Sequence, residues 1–464
     1  MGTVARREGA GMTAVNVLKT PPEWPHVLLP ATPPATAAEA TNIHAAIKNG
    51  AFAGLTRAVH TLGADNTISA IDHSGLRGRG GIGFPAVEKW GQCANAPADR
   101  RYVVVHAYQA DPAVLTDRVL LESNPFAVIE GAAIAAFAMR AQETIIALRA
   151  EATETMRVLK AAVKAAEDAG FIGENVLQAG FDINLSVRPL QGGYMLGEET
   201  VLLAALEGRR GMPEQQPPYP TTHGLYGRPT LLQNAQTFAA VPCILSVGGT
   251  GAFSGMGAKG SPGTILVQVS GSVANPGVAE VPLGTTLREI LALAGGVPSG
   301  HRLKALLVGG PSGGILPPEA LDTPYDYDSL RKAGAHVGSG SIVAVDERAC
   351  VVDLAAALTR FCADEACGKS IPCRIGLRRL AEIGARICEG QPRGDELPLL
   401  TDLAADITAG GLCDHERNAT LSLTSVTRYF GSELEDHMLR ATCPAGVCTG
   451  LASGATARTS GPAR

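Results

Sequence analysis

A chain of 464 residues is too long for one compact core and predicts two to four domains, and its 55 glycines with 45% apolar but only 4% aromatic residues fit a globular protein with many close backbone approaches. A formal charge of −5, with no basic stripe interleaved with aromatics, excludes a nucleic-acid binder. No run of about 18 apolar residues predicts a membrane span and no apolar run follows Arg6 and Arg7, so a cytoplasmic protein without an export signal is expected.

Residues 1–65 form an extension rich in Pro and Ala, mobile at its start and helix-like from Ala45 to Leu62. From 66 to 250 the pattern alternates: strands at Tyr102–His106, Glu143–Leu148 and Ile183–Val187, helices at Pro125–Arg140, Thr153–Ala169 and Glu198–Glu207. This alternation predicts an α/β domain with a parallel sheet. Pro213–Pro229, with Pro217–Pro218 inside it, is expected to drape over the surface as an extended loop. Residues 262–348 read as strands at Gly263–Ser270 and Gly277–Val281, a helix at Leu287–Ala294, then strands at Ala305–Val308 and Ser341–Val345, the order of a β-grasp domain. Helical periodicity returns near 351–365, 373–388, 395–408 and 421–440, predicting a four-helix bundle over 349–448, and 449–464 reads as a disordered tail.

Four glycines in six positions, Gly78, Gly80, Gly81 and Gly83, with Arg79 and Phe84 among them, let the backbone approach a phosphate or ring and aim its N–H groups at an anion. No strand leads directly into this loop and no Gly-Lys-Ser/Thr closes it, so it is neither a dinucleotide fingerprint nor a P-loop. Seven of the ten cysteines crowd between Cys362 and Cys448, which in a cytosolic protein favours metal over disulfides. Three Cys and one His, Cys362, His437, Cys443 and Cys448, make the donor set of a structural zinc, if packing of the bundle brings Cys362 to the other three.

The string Gly75-Leu-Arg-Gly-Arg-Gly-Gly-Ile-Gly-Phe-Pro85 followed by Lys89-Trp90 closely resembles the signature of the flavoprotein subunit of respiratory complex I and its relatives in NAD-linked hydrogenases and formate dehydrogenases. Further matches follow in family order at Asp117-Arg118, Glu130-Gly131, Gly193-Tyr194-Met-Leu-Gly197-Glu198-Glu199-Thr200, Pro217-Pro-Tyr-Pro220 and Gly224-Leu-Tyr-Gly227-Arg-Pro-Thr230, and the likeness continues through the β-grasp (SLBB-like) domain into the bundle.

The resemblance implies an FMN held by Gly78, Arg79, Gly80, Gly81 and Gly83, with Lys89 on its phosphate and Tyr194, Gly197, Glu198, Glu199 and Asn234 at positions that contact flavin or nicotinamide. It implies NAD(H) as the electron donor, Phe84 and Tyr219 as faces for adenine, and Asp111, Glu198 and Glu199 as the acids beside the reacting ring. Glu198 and Glu199 equally suit an ordinary helix N-terminus. Cys367-Gly-Lys-Ser370-Ile-Pro-Cys373, with Cys413 forty residues on, resembles the family's 4Fe-4S motif Cys-Gly-x-Cys-x-x-Cys plus a distant Cys. Ser370 in place of one cysteine leaves three outcomes: an oxygen or external ligand, a 3Fe-4S cluster on three cysteines, or no cluster. The partners implied are a thioredoxin-like 2Fe-2S subunit and a larger iron-sulfur subunit.

The chain departs from that family pattern at His106-Ala-Tyr-Gln-Ala-Asp111-Pro-Ala113, where the family has Asn-Ala-Asp-Glu-(Gly or Ser)-Glu-Pro-Gly, and at Gln92, Gln216 and Gln233. The expected function is NADH oxidation with electrons leaving through the cluster to partner subunits. The rival readings are a flavoprotein with another donor and a non-catalytic scaffold subunit.

Overall fold

The structure, a computed structural model, describes residues 15–394 and 396–453, with Ala452 and Ser453 described by their backbone only. The mobile start expected for residues 1–14 and the tail from 454 onward lie outside the described residues. The helix expected over 45–62 is broken into α1 (Ile43–Lys48) and α2 (Ala53–Arg57), with α3 (Gly63–Ser74) following after a π turn. Gly50 lies at the first break with φ 95°, a backbone that only glycine adopts without strain.

Strands β1 (Tyr102–Ala107), β2 (Glu143–Arg149), β3 (Asn184–Leu190) and β4 (Thr230–Asn234) form one parallel sheet in the order β3-β2-β1-β4. The central β1 has Val103, Val104 and Val105 all inaccessible, the continuous apolar run expected of a strand covered on both faces. After stepping outward from β1 to β3, the chain returns to the other side of β1. The strand order therefore reverses between the carboxyl ends of β1 and β4, where open α/β sheets bind their ligands. His106 and Asn234 are paired in register at that point.

Helix α4 (Ala86–Asn95) follows the glycine loop, α5 (Pro125–Met139) and α6 (Thr153–Asp168) cross between strands, α7 (Glu199–Leu206) precedes the Pro-rich segment, and α8 (Ala235–Leu245) follows β4. α5 is apolar around nearly its whole circumference because it lies inside the core. No described single helix is long and apolar enough to cross a membrane. A Cβ on Gly131 would stand 1.9 Å from the Phe238 carbonyl oxygen of α8, so the two helices touch backbone to backbone. Glu130 caps α2, accepting from the amides of Phe52 at 2.7 Å and Leu55 at 3.1 Å. The Glu130-Gly131 match is thus architectural.

The second sheet joins β5 (Thr264–Gly271), β6 (Gly277–Pro282), β7 (Leu303–Val308), β8 (Gly314–Leu316) and β9 (Ser341–Asp346) in the order β8-β7-β9-β5-β6, with α9 (Leu287–Leu293) packed on it. This is the expected β-grasp plus the three-residue β8, too short and too Gly-flanked to show a period. Residues 16–18 extend the β6 edge through paired backbone bonds of 2.8 Å with Val278.

The bundle contains α10 (Val351–Asp364), α11 (Arg378–Cys388), α12 (Glu396–Gly410), the short α13 (Asp414–Asn418), α14 (Leu421–Tyr429) and α15 (Gly431–Leu439). The helix expected over 421–440 is therefore two helices that meet at Phe430 and Gly431. Ala452–Ser453 pairs with Thr442–Cys443, so this part of the expected disordered tail is ordered.

Candidate active site and metal centres

The glycine loop is a hairpin clamped at its base. Gly78 N–H donates to Phe84 O and Ala86 N–H to Leu76 O, both at 2.8 Å, while Arg77 Nε donates to Gly83 O at 2.6 Å. At its tip, Gly80 is exposed and a Cβ on Gly81, φ 146°, would meet nothing within 4 Å. The amides of Gly80, Gly81, Ile82 and Gly83 donate to no group among the described residues. Such a set of free N–H groups at a sheet switch point is a cradle for an anion or a polar ring edge. Gly80 packs on Asn234, where a Cβ would come within 2.9 Å of Asn234 Cβ, so the loop lies directly over the end of β4.

Two of the expected loop contacts are structural. The Arg79 guanidinium is buried, with Nε on Thr264 O at 3.0 Å and the other nitrogens on Pro262 O and Arg77 O at 2.6 Å each, so only its backbone belongs to the loop. Gly83 is closed off by the Tyr327 ring, whose hydroxyl donates to Gly78 O at 2.8 Å. Phe84 and Tyr219 keep 40% and 50% of their surface exposed, enough for each to offer a ring face to a ligand.

Lys89, on the second turn of α4, is paired with Glu199, which also accepts from Gln216 Nε2 at 3.3 Å. Glu198 is the N-cap of α7, accepting from Val201 N–H at 2.8 Å and Thr200 Oγ1 at 2.6 Å, and burial pushes its carboxyl above the usual range. Half-buried His106 is held below the usual imidazole range by desolvation and bonds through Nε2 to Leu196 O at 3.0 Å, which fixes the 194–197 turn against β1. A Cβ on Gly197 would stand 3.0 Å from Ala110 Cβ. Asn234 donates to Asp117 at 3.1 Å and caps α8 through Gln236 N–H at 2.8 Å. Asp111 faces the β-grasp domain, accepting from Ser339 Oγ at 2.7 Å and Ala113 N–H at 3.0 Å.

The departures from the family pattern carry their own partners. Gln233 accepts from Trp90 Nε1 at 3.1 Å, Gln92 accepts from Thr221 Oγ1 at 2.8 Å, and Tyr108 donates to Gly192 O at 2.5 Å beneath the Arg149 guanidinium. None of the three leaves a buried group unsatisfied, so the protein itself bears no penalty for them.

The loop carrying Tyr194 joins this site to the bundle. Tyr194 N–H donates to Glu365 Oε2 at 2.9 Å, its ring meets Phe361 and His415 edge-on at 5.3 and 5.6 Å, and its hydroxyl lies 3.3 Å from Ser312 Oγ. Beyond it stand Cys367, Cys373 and Cys413. Burial and then the charges of Glu416, Cys413 and Cys367 push the Cys373 thiol up to about 12. Burial likewise raises Cys413 to about 11, with help from the charges of Glu198 and Cys367. At the same place His415 Nδ1 is a buried nitrogen with no partner, while its Nε2 bonds to Cys362 O at 3.0 Å.

Residues 71–243 match the Nuo51 FMN-binding domain, 266–316 the SLBB domain, and 353–437 the NADH-ubiquinone oxidoreductase-F iron-sulfur binding region. The F subunit of the NADH-quinone oxidoreductase of Streptomyces coelicolor is 40% identical over 85% of this chain and 87% of its own length. The chain belongs to the family of NADH-quinone oxidoreductase F subunits. Another relative is the NADP-reducing hydrogenase subunit HndC of Solidesulfovibrio fructosivorans, 39% identical over 86% of this chain and 81% of that one. A crystal structure of the NAD+-reducing [NiFe]-hydrogenase in the H2-reduced state superposes with a TM-score of 0.75 at 30% identity, covering 86% of this chain and 67% of that one. The α/β flavin-binding domain, SLBB domain and C-terminal iron-sulfur region expected from the sequence are those of this family.

The expected zinc set needs one correction. Cys350, His437, Cys443 and Cys448 have ligand atoms all within 4.8 Å of one another, and Cys362 is not among them. Cys350 caps the start of α10 and Cys362 lies twelve residues on, about 18 Å along a helix, where its thiol faces Pro311 O at 3.7 Å. His437 Nδ1 is bonded to Glu433 O at 2.7 Å, which assigns the proton to Nδ1 and leaves Nε2 to face Cys350 Sγ at 3.2 Å and Cys448 Sγ at 3.5 Å. Burial pushes the Cys443 thiol up, but N–H groups of Cys448, Val447 and Ala445 together with the Cys448 thiol bring it down to about 7.

Sequence reasoning missed Cys350, Glu365, His415 and Glu416. For Cys350 the one available signal was its place immediately before an amphipathic helix. For Glu416 it was the Cys413-x-x-Glu416 spacing, which puts both on one side of a helical turn.

Proposed function

We propose that this chain is the electron-input subunit of an NADH-oxidising complex, taking electrons from NADH at an FMN and passing them through an iron-sulfur cluster to partner subunits. The observation that carries the reading is the continuity of the two sites: the 194–197 turn beside the Lys89–Glu199 pair is tied to β1 by His106 and to the bundle by Glu365, with the Tyr194 ring against Phe361 and His415. Bound FMN supplies two-electron uptake and one-electron release, chemistry that no side chain offers.

The protein's part is binding and positioning. The free amides of Gly80, Gly81 and Ile82 and the ammonium of Lys89 suit an anionic, ring-bearing ligand. Glu199 holds Lys89 in place, His106 and Glu365 fix the two ends of the 194–197 turn, and Asn234 fixes the floor. Tyr194, wedged against Phe361 and His415, fills the space between the two sites and keeps water from it. Cys367, Cys373 and Cys413 would hold the cluster. A thioredoxin-like 2Fe-2S subunit and a larger iron-sulfur subunit are the partners that would accept the electrons, consistent with relatives that are themselves named as subunits.

The Cys350, His437, Cys443 and Cys448 group fits a zinc with a structural role. Four soft or borderline donors, all buried and with the histidine tautomer set, supply the four ligands that a structural zinc takes.

Anaerobic purification tests the main reading through visible spectrum, iron content and bleaching by NADH. Bound flavin that bleaches with NADH is the expected result. A second reading, in which another donor reduces the flavin, is favoured by Asp111, whose carboxylate is engaged with Ser339. Flavin that bleaches with dithionite but not with NADH would select it, and a colourless apoprotein would sink both.

A further inference from the structure

We propose that the fourth corner of the iron-sulfur site in this chain is a carboxylate: Glu416 binds the iron that the motif assigns to a cysteine at position 370, and Ser370 positions Glu416. The inference rests on the reading of this end of the bundle as an iron-sulfur site.

Ser370 does not stand free. Its hydroxyl donates to Glu416 Oε1 at 2.7 Å and accepts from Cys373 N–H at 3.3 Å. The other oxygen of Glu416 accepts from Leu412 N–H at 2.8 Å. Glu416 is only 1% exposed, and among the described residues no Lys, Arg or His forms an ion pair with it; the adjacent Arg417 is turned to Asp414. Buried carboxylates are normally paired with a cation or coordinate a metal. The first is missing here, and the surroundings supply the second.

Three residues separate Glu416 from Cys413, one helical turn, which puts the two on one side of α13. Across the site, the one Ser370 hydroxyl both donates to Glu416 and accepts from Cys373 N–H, so a single side chain links the carboxylate to that cysteine. The carboxylate therefore stands beside Cys413 in the chain and is linked to Cys373 through Ser370. Each of its oxygens has a second lone pair left after its hydrogen bond, so both bonds can persist while one oxygen binds iron. A ligating carboxylate held by hydrogen bonds from neighbouring groups is the usual arrangement around a metal. A serine hydroxyl is a far poorer iron ligand than either thiolate or carboxylate.

One iron with an oxygen ligand is held less firmly than three with thiolates. On oxidation by ferricyanide that iron should leave first: [4Fe-4S]2+ gives [3Fe-4S]+, one Fe2+ released to a chelator and one electron passed to the oxidant. Addition of Fe2+ and dithionite should reverse the change.

The test reconstitutes the full-length chain anaerobically with Fe2+ and sulfide, then measures iron, sulfide and the EPR spectrum before and after one equivalent of ferricyanide. Wild type should hold about four irons and drop to about three, with the signal of an oxidised three-iron cluster. Glu416→Gln, which keeps the shape and allows the Ser370 hydroxyl to rotate, should hold about three from the outset. Ser370→Ala should begin near four and lose the iron several-fold faster than wild type, and Ser370→Cys should resist the loss. Wild type that takes up only three irons overturns the proposal. So does four-iron Glu416→Gln beside three-iron Ser370→Ala, which would make serine the ligand. Flavin content and NADH bleaching, read on the same samples, separate these outcomes from failure of the broader reading: a bleachable flavin beside a three-iron wild type sinks the ligand alone, whereas absence of both flavin and cluster sinks the two together.

Discussion

The two ends of α10 present two kinds of donor set, one compact and one spread out. At its start, Cys350, His437, Cys443 and Cys448 converge within 4.8 Å, as ligands of a single ion must. Just beyond its other end, Cys367, Cys373 and Cys413 influence one another's thiols but form no such tight group among the described residues, as suits sulfurs that bind different irons of one cluster. The first set is complete from the protein alone. The second has three thiols, a serine and a buried carboxylate, and depends on what it binds for its final geometry.

The comparison can be broken most directly at the compact end. Replacing Cys443 and Cys448 together by Ser should remove about one equivalent of zinc, measured by plasma emission, and open the 440–453 segment to protease, while iron and flavin remain. Loss of iron with zinc would show that the two ends of the helix are not independent. At the α/β end, Gly131→Ala places a methyl 1.9 Å from the Phe238 carbonyl and should cost upwards of about 3 kcal/mol, read as a lower denaturation midpoint or loss of soluble protein.

Glu130 gives a pH signature of about the same size. Burial raises its carboxyl to about 7 despite bonds from the amides of Phe52, Leu55 and Gly54, whereas the unfolded value is about 4.3. The folded state thus holds the proton between those values. Its contribution is fully present below the unfolded value and falls by about 3 kcal/mol as pH climbs through the window to about 7. Glu130→Gln should flatten that slope in a series of urea denaturations, and an unchanged slope would assign it elsewhere. Lys89→Met is expected to have the smallest effect, weakening FMN retention by roughly 1 to 3 kcal/mol without changing metal content, measured by flavin release on dilution.

Much of this was legible in the sequence because the signals were periodic or local. β1 declared itself by an unbroken apolar run, the β-grasp by its order of strands, and the glycine loop by residues that only a close backbone approach requires. Roles set by long-range packing were not legible. Arg79 reads as an FMN-binding residue until its guanidinium is seen buried against Pro262 and Thr264, 183 and 185 residues away. Cys362 and Cys350 are equivalent as letters, and only the length of α10 decides which one reaches His437. Asp111 reads as an active-site acid, but no local pattern announces its bond to Ser339, 228 residues distant.

The clasp between Arg79, Tyr327 and the carbonyl oxygens of Pro262 and Thr264 also sets the smallest unit into which this polypeptide can be divided. A truncation ending near residue 250 would strip a buried guanidinium of two of its three acceptors and remove the ring that covers Gly83. The nucleotide-facing portion therefore cannot be excised as a minimal enzyme for screening or crystallography. Any dissection should retain the chain through residue 346.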